Sequence, residues 1–179
     1  SEAVTGFILG DITVTNGTAG NFVAVSTTVY TASIAPTATG TVTVSVIAGV
    51  AQDAATNNNL ASNVLSVNFD NSRPTVVVSS TAVSPTSVSP IPVTITFNKA
   101  VTGFILGDIT VTNGTAGTFT AVSSTVYTVN VTPTANGVVS VSVAAGVAQD
   151  ALANTNLASN TLSLTFDNTR PTEIGRAHV

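Results

Sequence analysis

The chain has 179 residues, no Cys and no Met, and a formal net charge of −4 from four Lys and Arg against eight Asp and Glu. Four basic residues make no cationic surface for nucleic acid or anionic lipid, and without Cys no disulfide or thiol chemistry arises. No apolar run approaches the ~20 residues of a membrane span, yet 44% hydrophobic content is enough to fill a core.

Only 7% of residues are charged, against roughly 25% in a typical soluble domain. Val and Ala dominate the apolar set, and Thr, Ser and Asn fill the gaps. Such residues suit a pleated, half-buried surface, so the composition predicts β-strands and turns. A surface of hydroxyls and amides points to an extracellular protein.

Taken in order, the chain opens inside a repeat. AVTGFILGDITVTNGTAG runs from Ala3 to Gly20 and returns from Ala100 to Gly117, an offset of 97 residues. The match continues through VYT, PTA, GVAQDA, NLASN and FDN to RPT at Arg73 and again at Arg170. A fixed long period marks a tandem array. Ser1 and Glu2 align with Asn98 and Lys99, so residues 1–72 are expected to be a copy lacking its first two strands. Residues 73–170 are expected to be a complete copy. The mid-repeat start and the missing Met lead to the expectation of a fragment of a longer chain.

In the complete copy about seven strands are predicted. Thr75–Ser80 comes first, then a connection bracketed by Pro85 and Pro90, then Ile91–Phe97. That second strand alternates, with Ile91, Val93, Ile95 and Phe97 inward and Pro92, Thr94 and Thr96 outward. Pro92 has no N–H to donate and suits an edge or a strand beginning. Asp108–Thr112 follows, closed by Asn113-Gly114, a tight-turn pair because both residues tolerate positive φ. The fourth strand is placed near Gly117–Val122 and the fifth at Thr125–Val131, with Tyr127, Val129 and Val131 on one face. After a turn at Pro133–Gly137, Val138–Ala144 points Val139, Val141 and Val143 inward. A long loop, Gly146–Asn160, leads to the last strand, where Leu162, Leu164 and Phe166 alternate with Thr and Ser. Short strands at this spacing, with turn signals between them, predict a β-sandwich.

Calcium takes roughly six to eight hard oxygens, and two places offer them. The long loop carries Asp150, Asn154 and Asn156, matched by Asp53, Asn57 and Asn59 in the first copy. The segment between copies carries Asp70 with Asn71, and Asp167 with Asn168. The same residues are ordinary turn formers that bond their own backbone, so the pattern leaves both readings open. Asp108, after Leu106-Gly107, reads as a cap on the turn before the third strand. No catalytic residues are assigned: the one His lies near the C-terminus at His178, and no two acids pair closely in sequence.

The succession AVTGF, DITVTNGT, VYT, PTA, GVAQDA and FDN resembles the bacterial immunoglobulin-like repeats of large cell-surface, biofilm-associated and adhesin-type proteins. The resemblance covers Ser1 to Thr172. It implies tandem Ig-like sandwiches in a surface or secreted stalk, often stiffened by calcium, with neighbouring repeats as partners. Family members commonly carry Ala-Gly-Asn after the Asp of the long loop, where this chain has DAATN (Asp53–Asn57) and DALAN (Asp150–Asn154). The expected role is therefore a non-catalytic spacer of an adhesin or extracellular fibre. The rival expectations are a glycan- or ice-binding module, or an accessory domain of a secreted hydrolase. Residues 1–69, short of two strands, are expected to be disordered, swapped or complemented by a strand from another copy. The last stretch, residues 171–179, departs from the repeat. From Glu173 it reads as sequencing-adapter translation, and a non-native or disordered tail is expected there.

Overall fold

Where Val and Ile alternate with Thr and Ser, the computed structural model places β-strands; it describes residues 2–172. Residues 173–179 of the expected tail lie outside the described residues. The chain divides into two compact units, Ser1–Ser72 and Arg73–Val179.

The first unit contains β1 (Ile12–Thr15), β2 (Gly17–Ala24), β3 (Tyr30–Pro36), β4 (Gly40–Val46) and β5 (Leu65–Phe69). β4 lies between β1 and β5 in one antiparallel sheet, and β2 pairs with β3 in another. In residues 2–69, where disorder, swapping or strand complementation is expected, five strands are described, each paired within the unit. Among the described residues, no strand pairs with β3 on its side away from β2.

The second unit contains β6 (Val76–Ser80), β7 (Ile91–Phe97), β8 (Ile109–Thr112), β9 (Gly114–Ala121), β10 (Val126–Pro133), β11 (Gly137–Val143) and β12 (Leu162–Phe166). Its sheets run β6-β7-β10-β9 and β12-β11-β8. Four strands against three, in this order, is the constant-type immunoglobulin sandwich. The alternation read from sequence sets the core. Ile91, Val93, Ile95 and Phe97 of β7 meet Val129 and Val131 of β10 and Val139, Val141 and Val143 of β11, all at most 2% exposed. Each such side chain contributes roughly 1.5–3 kcal/mol by leaving water.

The connection between β6 and β7 reaches the opposite sheet. Thr86 N–H donates to the Thr165 carbonyl at 2.9 Å, and Asp167 N–H donates to the Thr86 carbonyl at 2.9 Å. A parallel bridge to Phe166 results. Pro92 lies within an interior strand, but just past the last β6 pair, Ser80 with Val93, so no ladder bond to β6 is asked of it.

Two local expectations need correction. Leu106–Asp108 is a 3₁₀ turn, so β8 begins at Ile109, not Asp108; the Asp108 carboxylate accepts from Ile105 N–H at 2.8 Å and caps that turn. Asn113-Gly114 is not a hairpin, because β8 and β9 belong to different sheets. Asn113 alone takes positive φ, at 53°, and carries the chain across the sandwich. Gly114 is required by contact: a Cβ there would lie 3.0 Å from Val131 Cγ1 and 3.1 Å from the Thr132 carbonyl. Asn16 and Gly17 repeat the arrangement, with φ again 53° and a Cβ 3.0 Å from the Ala35 carbonyl.

Candidate functional site

The long loop after β11 is organised by two side chains. Asn156 is fully buried, at 0% exposure. Its amide oxygen accepts from Val147 and Ala148 N–H, both at 2.9 Å, and its amide nitrogen donates to the Ala144 and Leu157 carbonyls, both at 2.8 Å. All four hydrogen-bonding capacities of the side chain are thus used. Asp150, 8% exposed, folds the tip of the loop. One carboxylate oxygen accepts from Leu152 N–H at 2.9 Å and Asn154 N–H at 3.0 Å; the other accepts from the Asn154 amide at 3.2 Å and Lys99 Nζ at 3.5 Å. Burial pushes the Asp150 carboxyl up, but the bonds from Asn154, Leu152 and Lys99 together outweigh it and hold the group below its ordinary value.

The first unit repeats this loop with less cover. Asn59 accepts from Val50 and Ala51 N–H at 2.9 Å and donates to the Ile47 and Leu60 carbonyls. Asp53 accepts from Ala55 N–H at 2.8 Å and from the Asn57 backbone and amide at 2.9 Å. The Asn57 bonds hold its carboxyl below the ordinary value. Lys99 has Glu2 as its counterpart, and Glu2 and Asp53 border the same surface depression with Asn57, Asn58 and Asn59.

The acids between copies are also tied to their own units. Asp70 accepts from Ser72 N–H at 2.8 Å and from the Ser72 hydroxyl, while Thr39 donates to Asn71 at 2.8 Å. Asp167 accepts from Thr169 N–H at 2.8 Å and the Asn136 amide at 3.0 Å, and the Thr169 bonds lower its pKa.

Sequence reasoning missed two residues that complete the second unit. Arg73 donates from Nε to the Thr155 carbonyl at 2.7 Å and from Nη2 to the Asn156 carbonyl at 2.9 Å, clamping the loop that Asn156 staples from inside. Asn160 reads the edge of β6 like a strand, accepting from Val78 N–H and donating to the Val78 carbonyl, both at 2.9 Å. Their only trace in sequence is recurrence, as RPT after FDN and as the last Asn of NLASN.

The fit to calcium follows from these bonds. The structure bonds Asp150 to Asn154 and Asp53 to Asn57, while Asn156 and Asn59 bond the backbone at the base of the same loops. The carboxylate oxygens, however, are already engaged, one of each pair by backbone N–H groups and the other by the Asn57 or Asn154 amide. Among the described residues no three acidic, His or Cys side chains gather where an ion could sit. This donor set fits a hydrogen-bonded staple and does not fit a cage of roughly six to eight oxygens. All seven Phe and both Tyr are buried or half-buried, so no ring row is presented for sugar stacking.

A seven-stranded sandwich and a five-stranded relative, built on the same stapled loop, set the frame for comparison with known proteins. A bacterial Ig-like domain matches residues 1–69 and again residues 70–166. The chain belongs to that family. Among solved structures, this bacterial Ig-like pair is similar to InvD of Yersinia pseudotuberculosis, at 20% identity and a TM-score of 0.33, over 97% of this chain and 51% of that one. The chain therefore spans about half the length of the structure it matches. No curated protein matches it. Among the described residues no helix is long and apolar enough to cross a membrane.

Proposed function

We propose that these bacterial Ig-like repeats form a non-catalytic spacer, part of the stalk of an extracellular surface adhesin or of an extracellular fibre. Their partners in that role are neighbouring repeats of the same sequence. The observation that carries the reading is how the handover between copies is held. Asp70 and Ser72 are bonded within the first unit, and Arg73, the next residue, is bonded to the loop of the second. Short connections between self-similar units suit a rod made of repeats. The Asp and Asn side chains of the long loop serve as staples, once per copy. The low charge and hydroxyl-rich surface agree with work outside the cell.

Force spectroscopy on a concatemer of the repeat tests this. Discrete unfolding steps, each releasing about one repeat of chain, together with a solution scattering profile of an extended particle, are the expected results. A particle that scatters as a flexible string between units would overturn the spacer reading. Tight, saturable binding of a glycan or of ice by the same chain would move the assignment to the binding-module rival.

A further inference from the structure

Three Asn-x-Thr triplets occur in the chain, at Asn16, Asn113 and Asn130, and each is by pattern an acceptor for an N-linked sugar. The fold spends two of them. The Asn16 amide nitrogen donates to the Ala38 carbonyl at 2.8 Å, while its oxygen accepts from Ala38 N–H at 3.2 Å. Such two-way pairing with one residue uses the amide hydrogen on the oxygen's side, which is the position a sugar takes in a trans amide. Asn113 donates likewise to the Ala135 carbonyl at 2.9 Å. Both nitrogens also lie against backbone: a Cβ on Gly40 would stand 3.4 Å from the first, and one on Gly137 3.6 Å from the second. A sugar at either would break the corner that carries the chain from one sheet to the other.

Asn130 is placed differently. Tyr127, Val129 and Val131 of β10 are buried, so strand alternation puts Asn130 on the outer face with Thr128 and Thr132. Among the described residues no side-chain hydrogen bond holds its amide. Its neighbours across the ladders are Pro92 on β7 and Gly117 on β9. A Cβ built on Gly117 meets nothing within 4 Å, so the surface beside Asn130 is open. The β9 ladder shifts register between the pairs of Thr128 and Asn130, the kind of irregularity that re-aims a side chain. No strand of the sheet β6-β7-β10-β9 contains a charged residue. A sugar would give that face a strongly solvated group that its own side chains do not supply.

We propose that Asn130 is a glycosylation site, taking an N-linked sugar from a glycosyl diphosphate donor. The bond between the anomeric carbon and the diphosphate oxygen breaks, and the diphosphate leaves with the bonding pair. The Asn130 amide nitrogen forms the new bond to the anomeric carbon and loses one proton to the transferase. The transfer precedes folding, since in the sandwich the backbone at Asn130 is paired on both sides. Folding then leaves the sugar outside, above Gly117. At the repeat offset Asn130 is Ser33, so the site distinguishes the second copy from the first. The inference goes beyond the spacer role and does not depend on it.

The test produces the full chain in a bacterium together with one of two transferases. One arm carries a soluble asparagine glycosyltransferase with a nucleotide-linked hexose, the other an oligosaccharyltransferase with a lipid-linked oligosaccharide. The folded fraction is isolated by size exclusion and its peptides are mapped by mass. Hexose or oligosaccharide at Asn130 is expected, and the arm that yields it names the source of the donor. In the folded fraction, occupancy at Asn16 and Asn113 is expected to be about tenfold lower, the scale of one lost hydrogen bond. Synthetic peptides of residues 13–19, 110–116 and 127–133 correct for each transferase's own preference. Thr132→Ala should empty Asn130 and Thr132→Ser should keep it; Thr132 is exposed, so neither change disturbs the core. No sugar at Asn130 in either arm, a sugar that persists in Thr132→Ala, or equal corrected occupancy at all three triplets would each overturn the proposal.

Discussion

The two units are nearly the same sentence written twice, and they differ most where the text does not. Local geometry is copied closely. Asn16 and Asn113 share φ of 53°, Thr56 and Ala153 take 66° and 63°, and Asn21 and Thr118 take 49° and 46°. Burial is not copied. Eighteen hydrophobic residues form the buried cluster of the second unit, whereas in the first only Val42 and Ala51 are comparably buried. The stretches between, from turns to aromatic trios, are specified by short windows of sequence. The core of the second unit draws on two strands, β6 and β7, that have no counterpart among the described residues of the first. Stability in this sandwich therefore resides in those strands more than in the repeat's recognisable motifs.

Removing β7's largest anchor should push the second unit toward the first. Phe97→Ala takes away a fully buried ring that touches both Phe104 and Tyr127. A loss of about 3–5 kcal/mol is expected, the range for a buried Phe cut to Ala. Unit-resolved hydrogen exchange on the full chain checks it: residues 126–143 should lose protection while residues 12–46 do not change. Equal loss in both halves would mean that the units do not melt independently.

The loop staples sharpen the same contrast at a smaller scale. Asn156→Ala orphans two buried N–H groups and two carbonyls, and each such group costs about 1–3 kcal/mol when water cannot reach it. A net loss of about 2–4 kcal/mol is expected. Asn59→Ala removes the same bonds in a half-exposed setting where water substitutes, and about 1 kcal/mol is expected. Chemical denaturation followed by exchange at residues 47–60 and 144–157 separates the two. Matching losses would show that burial does not set the staple's worth.

How far the sequence foretells this molecule depends on the reach of the contact concerned. Ile91, Val93, Ile95 and Phe97 announce their inward face by alternation alone, and the last strand does so with Leu164 and Phe166. Asp150 and Asn154 announce a turn, because the bonds involved span two to four residues. Asn113-Gly114 misleads, since a left-handed Asn serves a sheet-to-sheet corner as readily as a hairpin, and only the strand order tells them apart. Arg73 and Asn160 are silent because their partners lie 82 or 83 residues away in the chain. The orientation of Asn156 is equally hidden: one Asn in a polar loop reads as a surface ligand until the backbone closes around it.

Acid provides the next comparison. The Asp150 carboxyl is held below its ordinary value of 3.8, so the folded chain binds that proton less readily than the unfolded one. The sign follows: the contribution is complete above the ordinary value and is lost as pH falls through the lower, folded one. Thermal unfolding of the second unit is therefore expected to be level from neutral pH to about 5 and to decline below about 4. Lys99→Glu recreates the first unit's Glu2 beside the loop and removes one of the groups that hold Asp150 down. The variant should show a shallower acid decline than the parent. An identical decline would assign the pH dependence to Asp167, whose carboxyl is also lowered, by Thr169.

The smallest expected effect is that of calcium, and its smallness discriminates between two uses of the same residues. If Asp53 and Asp150 were ion ligands, their oxygens would face one another's loops or solvent. They instead accept from Ala55, Asn57, Leu152 and Asn154 within their own turns. An ion could bind there only by displacing backbone N–H bonds that the loops need, one carboxylate supplying most of the charge. Melting curves of the full chain in millimolar calcium and in chelator are therefore expected to superimpose, for both units. A rise confined to the first unit would single out Glu2 and Asp53, two carboxylates that border the same depression. Glu2→Lys, which gives the first unit the second's Lys99, should then abolish that rise; if the rise persisted, the ion would have to sit at Asp70.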